Sequence, residues 1–267
     1  MPELPDVEKV RRDLDRWTRG AKVVAAQSAD RRILRPKSPG VLGRALVGKT
    51  VRGIVRRGKW IRVELDDGTR LFSHLGMTGW WVASDAGAEA PRFERARIDL
   101  ARGAKRSSVR YVDSRRFGRL IVSKSDIPEW RELGPDPLAD GIDVRAFADA
   151  LAKRRRSIKD VLMDQTILAG IGNILATEAL WHARIDPRSR SSALSPGDTK
   201  AIVRGLRTAI DRELAARDVA EGADWRDTFF AYGHTGKPCP RDRTPFVRVV
   251  QAGRTTTFCK HCQIRRR

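Results

Sequence analysis

Three cysteines near the C-terminus have the residue type and part of the spacing of a zinc-binding motif. Cys259 and Cys262 form a C-x2-C pair, and Cys239 precedes them in the same short tail. A tetrahedral zinc site needs four ligands, and a second C-x2-C pair would place its other cysteine at Asp242, whose carboxylate can also bind zinc. Two other residues compete for the fourth position, His234 and His261. Because the tail has few apolar residues to hold it together, we favour a structural metal over three unliganded thiols.

A glycine-containing turn further upstream joins two apolar helical stretches. The turn reads Ala169-Gly170-Ile171-Gly172-Asn173, and Asn173 is predicted to cap the second helix. Free N–H groups at a helix N-terminus bind phosphate. Taken alone, the pattern is equally typical of an ordinary helical hairpin. Basic residues precede it and favour contact with a nucleic-acid backbone: Lys153, Arg154, Arg155, Arg156 and Lys159.

The whole chain is strongly basic. It has 54 Lys and Arg residues against 33 Asp and Glu residues, a formal net charge of +21. This excess predicts a polyanionic partner, first nucleic acid and second an anionic membrane surface, but it does not indicate an activity. No segment has the roughly 20 apolar residues that span a bilayer, and the N-terminus is charged from Glu3 onwards, unlike a signal peptide. We therefore expect a cytoplasmic protein.

The hydrophobic pattern predicts one helix, then strands, then helices. Val7, Val10, Leu14 and Trp17 recur at helical spacing within residues 5–18. Residues 20–125 contain short segments typical of a sandwich or barrel, with Asp67-Gly68 as a hairpin turn. The predicted strands are 51–56, 60–65, 70–74, 97–100 and 108–112. The predicted later helices are 145–154, 157–164, 173–182 and 196–216, and short strands return after them.

Seven segments, in order and spread over nearly the whole chain, resemble the formamidopyrimidine-DNA glycosylase / endonuclease VIII family, and its formamidopyrimidine branch in particular. Each segment is modest alone, but seven in register are hard to explain by chance. They are Pro2–Val7, Arg57–Lys59, His74–Gly79, Asp113–Gly118, Ala169–Leu180, Tyr232–Cys239 and Gly253–Gln263.

The resemblance implies an α+β multidomain fold. Its parts are an N-terminal helix with a β-sandwich, a helix-two-turn-helix domain and a C-terminal β-hairpin zinc finger, which is the order of our predicted elements. We place an N-terminal catalytic β-sandwich domain at 1–131, a linker at 132–143, a helix-two-turn-helix DNA-binding domain at 144–227 and a zinc-finger-like hairpin at 228–267.

The resemblance assigns catalysis to the start of the chain. It implies that Pro2, exposed by removal of Met1, attacks C1′ of a damaged nucleotide, because a terminal secondary amine forms a cationic iminium with an aldehyde-like carbon. β-Elimination followed by δ-elimination would then cut the strand on both sides of the sugar. Glu3 is the expected general acid/base. Lys59 would assist at the sugar-phosphate and stabilise the departing phosphate.

The remaining implied site residues bind DNA. The target base must leave the duplex to react, and the resemblance implies that Met77, Arg115 and Phe117 fill the gap, with Arg115 facing the orphaned base. Taken alone, methionine and phenylalanine are more often core residues. Four further residues are expected to contact the DNA: His74, Lys159, Asn173 and Arg254.

Three features depart from the family pattern. Asp242 stands where the second zinc cysteine is expected, and Asp6 replaces a more usual glutamate. The segment 221–230 before Ala231 is shorter than expected for a loop that covers a flipped purine. Two alternatives therefore stay open: an endonuclease VIII-like enzyme for oxidised pyrimidines, and a non-catalytic binder of damaged DNA on the same scaffold.

The sequence thus predicts a bifunctional DNA glycosylase/AP lyase of base excision repair that removes oxidised or ring-opened purines. Its expected partner is double-stranded damaged DNA, with no membrane, and its expected cofactor is one structural Zn2+ ion held by Cys239, Asp242, Cys259 and Cys262. We expect a monomer, associated with the nucleoid of a bacterium.

Overall fold

The computed structural model describes residues 1–28, 30–38, 40–219 and 228–267, which form two compact units. The first unit contains residues 1–2 and 6–131, and the second contains residues 3–5 and 132–267. No helix in these described ranges has the length and apolar character of a membrane span.

The first unit is a β-sandwich with one long helix. Its helices are α1 (Leu4–Thr18, of which residues 4–5 belong to the second unit), α2 (Val41–Leu46) and α3 (Pro128–Arg131). Its strands are β1 (Lys22–Gln27), β2 (Leu34–Arg35), β3 (Val51–Arg57), β4 (Trp60–Leu65), β5 (Arg70–His74), β6 (Trp80–Asp85), β7 (Glu94–Arg102), β8 (Lys105–Val112) and β9 (Arg119–Ser123). They form two sheets, with strand orders β1-β7-β8-β6 and β2-β9-β5-β4-β3.

Helix α1 follows from the apolar spacing in the sequence. Val7, Val10 and Leu14 recur on one face and are buried in a core that also includes side chains from both sheets. Asp6 in the first turn and Arg16 in the last turn have the charges that the helix dipole favours. The predicted helix is confirmed.

Hairpins place two of the predicted site residues, His74 and Lys59, at or next to strand ends. Strands β4 and β5 pair in antiparallel register, with Trp60 opposite His74. The predicted Asp67-Gly68 turn joins them, and Asp67 accepts a hydrogen bond of 2.9 Å from the backbone N–H of Thr69. The β3–β4 hairpin closes at Gly58 and Lys59, so Lys59 lies in the turn directly before β4.

The second unit is mostly helical. Its helices are α4 (Val144–Ala152), α5 (Ile158–Leu162), α6 (Asn173–Ala183) and α7 (Pro196–Val219), with a short 3-10 turn at Ser191–Ala193. Strands β10 (Val247–Gln251) and β11 (Arg254–Phe258) form an antiparallel hairpin near the C-terminus. Helix α6 is buried along most of its length, and Leu175, Ala176, Ala179 and Leu180 lie in the unit's core.

The proline- and glycine-rich segment 132–143 contains neither a helix nor a strand and belongs to the second unit. Leu133 is buried there, and the Asp136 carboxylate accepts hydrogen bonds from the backbone N–H groups of Leu138 and Ala139. The shortened segment noted in the sequence, 221–230, has residues 221–227 outside the described part of the chain.

Candidate active site and nucleic-acid interface

The carboxylate of Glu3 lies at the N-terminus of α6. Glu3 Oε2 accepts hydrogen bonds from the backbone N–H groups of Gly172 (3.1 Å) and Leu175 (3.0 Å), and Oε1 accepts one from Ile174 (2.9 Å). The residue is only 3% exposed. A helix N-terminus binds anions because its free N–H groups and its dipole both favour negative charge. The turn that the sequence predicts to bind phosphate therefore holds a carboxylate of the protein itself.

Gly172 makes this contact possible. A Cβ atom at this position would lie 2.3 Å from the carboxyl carbon of Glu3, which is far closer than non-bonded carbon atoms approach. Any other residue at 172 would push the carboxylate away from the helix. The glycine of the turn is therefore required by the close approach of Glu3.

The prediction that Asn173 caps α6 is wrong. Gly172 occupies the N-cap position without a side-chain cap, and Asn173 is the first helical residue. The amide of Asn173 instead accepts a hydrogen bond from Lys159 Nζ and donates one of 3.0 Å to the backbone oxygen of Thr255. The physical reason is that the Glu3 carboxylate already binds the free N–H groups that a capping asparagine would use.

Lys159 is fully buried and lies at the centre of a polar cluster. Its ammonium donates to Asn173 Oδ1 and to Thr256 Oγ1. Burial lowers the pKa of Lys159 to about 8, and the nearby charge of Arg254 also lowers it, whereas Asp160 and Glu3 favour the charged form. The second unit thus brings together four of the predicted site residues: Glu3, Lys159, Asn173 and Arg254.

Arg254 is the first residue of β11 and is exposed at the hairpin turn, as predicted. Its guanidinium donates a hydrogen bond of 3.3 Å to the backbone oxygen of Ala252. No ion pair to this arginine occurs among the described residues, so its charge is available to an external anion.

His74, at the end of β5, is a neutral imidazole. Burial, together with the positive charges of Arg119 and Lys59, lowers its pKa to about 4. Nδ1 accepts a hydrogen bond of 3.0 Å from the backbone N–H of Gly76, which leaves the proton on Nε2. The ring therefore offers a hydrogen-bond donor without a charge, which suits a phosphate or carbonyl oxygen.

Two loops of the first unit carry the three predicted gap-filling residues. Met77 lies on the β5–β6 loop and is 38% exposed, whereas Phe117 lies on the β8–β9 loop and is 53% exposed. The guanidinium carbon of Arg115 is 5.0 Å from the centre of the Phe117 ring. Because both apolar side chains are exposed, the ordinary core interpretation does not hold for either of them.

Asp113 is a functional candidate that the sequence interpretation missed. Its buried carboxylate accepts hydrogen bonds from Thr78 Oγ1 (2.5 Å) and from the backbone N–H groups of Arg115 (3.2 Å) and Gly118 (2.8 Å). It therefore ties the two loops together. The only signal in the sequence was its place at the start of the Asp113–Gly118 segment.

The Tyr111 side chain packs against the same two loops. Its hydroxyl donates a hydrogen bond of 3.2 Å to the backbone oxygen of His74. A Cβ atom at Gly79 or Gly118 would come within 2.0 Å or 1.8 Å of this hydroxyl, so both loops need glycine where they cross the ring. Burial raises the pKa of Tyr111, so the hydroxyl keeps its proton and remains a donor.

Pro2 is half-buried at the start of the first unit, directly before Glu3 in the chain. Its ring nitrogen is a secondary amine only after Met1 is removed. Lys59 lies in the same unit, in the β3–β4 turn, and its charge acts on His74.

Cys239, Asp242, Cys259 and Cys262 form one cluster in the C-terminal tail. Their ligand atoms all lie within 4.8 Å of one another. Cys239 Sγ lies 3.8 Å from Cys262 Sγ, and Cys259 Sγ lies 3.5 and 3.4 Å from the two carboxylate oxygens of Asp242. A tetrahedron with Zn–S bonds of about 2.3 Å and a Zn–O bond of about 2.0 Å has edges of about 3.8 Å and 3.5 Å. The cluster therefore fits one structural zinc ion.

The observed geometry favours Asp242 over the two histidines as the fourth ligand. His261 Nδ1 lies 3.0 Å from Asp242 Oδ2, so this ring contacts the carboxylate rather than joining the cluster. His234 Nδ1 instead lies 3.0 Å from the backbone oxygen of Phe230.

The three parts of the chain match three known domains. Residues 1–120 match the formamidopyrimidine-DNA glycosylase N-terminal domain, and residues 133–220 match the H2TH domain of the same enzymes. Residues 236–264 match the zinc finger found in FPG and IleRS. This combination defines a class of DNA-repair glycosylases with a helix-two-turn-helix domain and a zinc finger.

Individual relatives agree with this class. Formamidopyrimidine-DNA glycosylase of Herpetosiphon aurantiacus is 35% identical, over 98% of this chain and 100% of its own. The chain belongs to the formamidopyrimidine-DNA glycosylase family, whose members are bifunctional glycosylases of base excision repair with AP lyase activity.

Two solved structures have the same fold. The Lactococcus lactis enzyme, non-covalently bound to DNA containing an AP site, is 30% identical, with a TM-score of 0.88 over 98% of this chain and 99% of that chain. MutM in complex with DNA containing carbocyclic 8-oxo-G is 28% identical, with a TM-score of 0.88 over 98% of this chain and 99% of that chain.

Proposed function

We propose that this protein removes oxidised or ring-opened purines from double-stranded DNA and then cuts the strand, with Pro2 as the nucleophile. The observation that carries the proposal is the anchoring of Glu3, which is bonded directly to Pro2 in the chain. Three backbone N–H groups of the α6 N-terminus hold its carboxylate. An anchored neighbour restricts the positions open to Pro2 and pre-organises a proton-transfer group beside it.

The proposed reaction starts at the proline nitrogen. After removal of Met1, its lone pair forms a bond to C1′ of the damaged nucleotide, and the glycosidic bond breaks as the departing base takes up a proton. The proline nitrogen then loses its proton, and the C1′–O4′ bond breaks as O4′ takes up a proton, which opens the sugar and leaves an iminium between this nitrogen and C1′. The iminium draws electrons from C2′, whose proton is removed while the C3′–O bond breaks. Loss of the C4′ proton with cleavage of the C5′–O bond follows, and hydrolysis of the iminium releases Pro2.

We assign proton transfer at the sugar to Glu3 and stabilisation of the departing phosphate to Lys59. The two residues suit these roles because Glu3 is a buried carboxylate and Lys59 is half-buried in the β3–β4 turn, close in sequence to Arg56 and Arg57. The proline ring itself has no second acid or base, so the proton steps require such neighbours.

We propose that His74, Lys159, Asn173 and Arg254 bind phosphates around the lesion. The buried ammonium of Lys159 already has two acceptors in the protein, and a phosphate oxygen would replace one of them. Met77, Arg115 and Phe117 would fill the gap left by the extruded base, a role that fits their exposure on two linked loops. The structural zinc would hold the β10–β11 hairpin that carries Arg254.

The remaining expectations complete the proposal. We keep the domain boundaries at 131, 143 and 227, the monomeric state and the association with a bacterial nucleoid. The similarity to a MutM complex with 8-oxo-G DNA supports a purine lesion. The net charge of +21 also supports a DNA partner, because the phosphate backbone of DNA attracts a strongly basic protein.

Borohydride reduction of the enzyme on abasic DNA tests the catalytic proposal. We expect one covalent adduct, which peptide mass spectrometry maps to the nitrogen of Pro2 in a chain that lacks Met1. The Pro2→Gly variant should trap far less, because it lacks the ring that fixes the secondary amine. An adduct on Lys59 or another amine, or active enzyme that retains Met1, would overturn it.

A lesion panel separates the proposed substrate from the alternatives. We expect ring-opened guanine and 8-oxoguanine in duplex DNA to be excised faster than thymine glycol. Preference for thymine glycol would indicate the endonuclease VIII-like alternative. Tight binding of damaged DNA with neither excision nor adduct would indicate the non-catalytic binder.

A further inference from the structure

The carboxylate of Asp242 is held on both of its oxygens. Oδ1 accepts a hydrogen bond of 3.0 Å from the backbone N–H of Thr244, and Oδ2 lies 3.0 Å from Nδ1 of His261. Asp242 is mostly buried, with 17% of its side chain exposed, whereas His261 is 76% exposed. The His261 side chain therefore contributes little packing. Within the described part of the chain, its ring makes one hydrogen-bond contact, which is the one to Asp242.

A carboxylate needs more support than a thiolate in a structural zinc site. Its two oxygens can rotate about the Cβ–Cγ bond and can bind the metal in several ways, whereas a thiolate offers one sulfur atom. A hydrogen bond from outside the ligand set fixes one oxygen and leaves the other lone pairs for the metal. The backbone N–H and the side chain of Thr244 also hydrogen-bond the carboxylate, but they belong to the tight turn that follows Asp242, whereas His261 supplies its restraint from outside this turn.

We propose that His261 is a positioning residue for the metal site, which donates from Nδ1–H to Asp242 and thereby makes a Cys3Asp cluster competent to bind Zn2+. In this arrangement His261 is not itself a ligand. The chain combines a change at one ligand position, from the expected cysteine to aspartate, with a histidine that holds the new ligand in place.

The geometry excludes two simpler interpretations of this histidine. The four ligand atoms form one cluster without it, and the Cys239–Cys262 and Cys259–Asp242 spacings match the edges of a zinc tetrahedron. Its ring is also too exposed to be a core residue of the small tail.

The proposed role of His261 is tested by measuring the zinc affinity of the whole chain. Zn2+ is titrated against a chromophoric chelator for the wild type and for His261→Ala, His261→Asn and the control Lys260→Ala. Lys260 is exposed between Cys259 and His261. Loss of a partner that orients a metal ligand weakens binding by about 10- to 100-fold, so we expect His261→Ala to lose about tenfold or more. Asparagine places an N–H near the position of Nδ1 and should retain most of the affinity.

An Asp242→Cys background provides the decisive comparison. With four cysteines there is no carboxylate to orient, so His261→Ala should then leave zinc affinity unchanged. An equal loss in both backgrounds would mean that the histidine acts on the tail's stability in general, which overturns the proposal. A second pair of results would also overturn the proposal. If Asp242→Asn kept the wild-type zinc affinity while both His261 variants lost it, His261 rather than Asp242 would be the ligand.

This test is independent of the catalytic proposal. Zinc affinity is measured without DNA, and far-ultraviolet circular dichroism at each zinc level verifies that the variants fold. Failure of the borohydride trap would leave the role of His261 intact, and an unchanged zinc affinity in His261→Ala would leave the role of Pro2 intact.

Discussion

The hydroxyl of Thr78 donates a 2.5 Å hydrogen bond to the carboxylate of Asp113, and this bond joins the loop of Met77 to the loop of Phe117. The same Asp113 oxygen accepts the backbone N–H of Arg115, and the other oxygen accepts that of Gly118. Because all three partners are donors, only a carboxylate satisfies them. The two loops therefore form one surface linked through the Asp113 carboxylate.

Replacement of Asp113 by Asn should loosen this surface. An amide has one accepting oxygen, so its NH2 group must face at least one donor, at a cost of about 1–3 kcal/mol. We expect excision of a lesion from duplex DNA to fall by about tenfold or more in single-turnover assays. Trapping on a single-stranded abasic oligonucleotide should be spared, because no stacked gap has to be filled.

Asp126→Asn is the matched control, since this carboxylate is paired with Arg62 and Arg70 on the surface of the same unit. It should leave both assays unchanged. Equal losses on duplex and single-stranded substrates in Asp113→Asn would contradict the linked-loop interpretation.

Glu3 has a structural role in addition to its proposed catalytic one. Its carboxylate satisfies three N–H groups at the start of α6, and Glu3→Gln turns an NH2 group toward at least one of them. We expect the free energy of unfolding to fall by about 1–3 kcal/mol in urea denaturation, besides the loss of activity.

Glu129→Gln removes an exposed carboxylate and should change the unfolding free energy by less than about 0.5 kcal/mol. If Glu3→Gln lost activity at full stability, Glu3 would act only in proton transfer and the anchoring argument would be wrong.

The sequence predicts those parts of the fold that depend on local patterns. Strongly periodic segments such as α1 and β4 were predicted within a residue or two of their observed bounds. Strand β1 was missed because its two valines are followed by residues that are poor strand formers, and its side chains show no clear alternation of buried and exposed positions. Helix α2 was missed because its six residues are too short to display a period.

The site follows the same division. The zinc cluster was predicted because its ligands are close in sequence and have fixed spacing. The Asn173 cap was wrong because the group that binds the α6 N-terminus, Glu3, is 169 residues away from Gly172. The role of Asp113 was missed because Thr78, its partner, is 35 residues away. Long-range partners of polar groups leave no local pattern.

The pKa of Lys159 predicts a pH dependence of DNA binding. Burial lowers it to about 8 in the free protein, and a bound phosphate would raise it. Affinity is therefore greatest below pH 8 and falls as the pH rises through the free-protein pKa toward that of the complex. We expect a loss of about tenfold, the worth of one charge-assisted contact, in binding of an uncleavable abasic analogue between pH 7 and pH 9.

Lys159→Met isolates this contribution. The variant keeps an unbranched side chain without a charge, so its affinity should be lower at pH 7 and should lack this decline. The difference between wild type and variant cancels other titrating groups. Parallel pH curves for the two proteins would show that Lys159 does not bind a phosphate.

Arg254 should contribute one phosphate contact. It is exposed at the start of β11 and has no ion pair among the described residues. Each neutralised phosphate adds about 0.9 to the slope of log affinity against log salt concentration, because bound counterions are released. Arg254→Gln should reduce this slope by about one unit and weaken binding uniformly across sequences, whereas Arg254→Lys should retain the slope. Fluorescence anisotropy of a duplex at several salt concentrations measures both the affinity and the slope. An unchanged slope in Arg254→Gln would mean that Arg254 contacts solvent and not a phosphate.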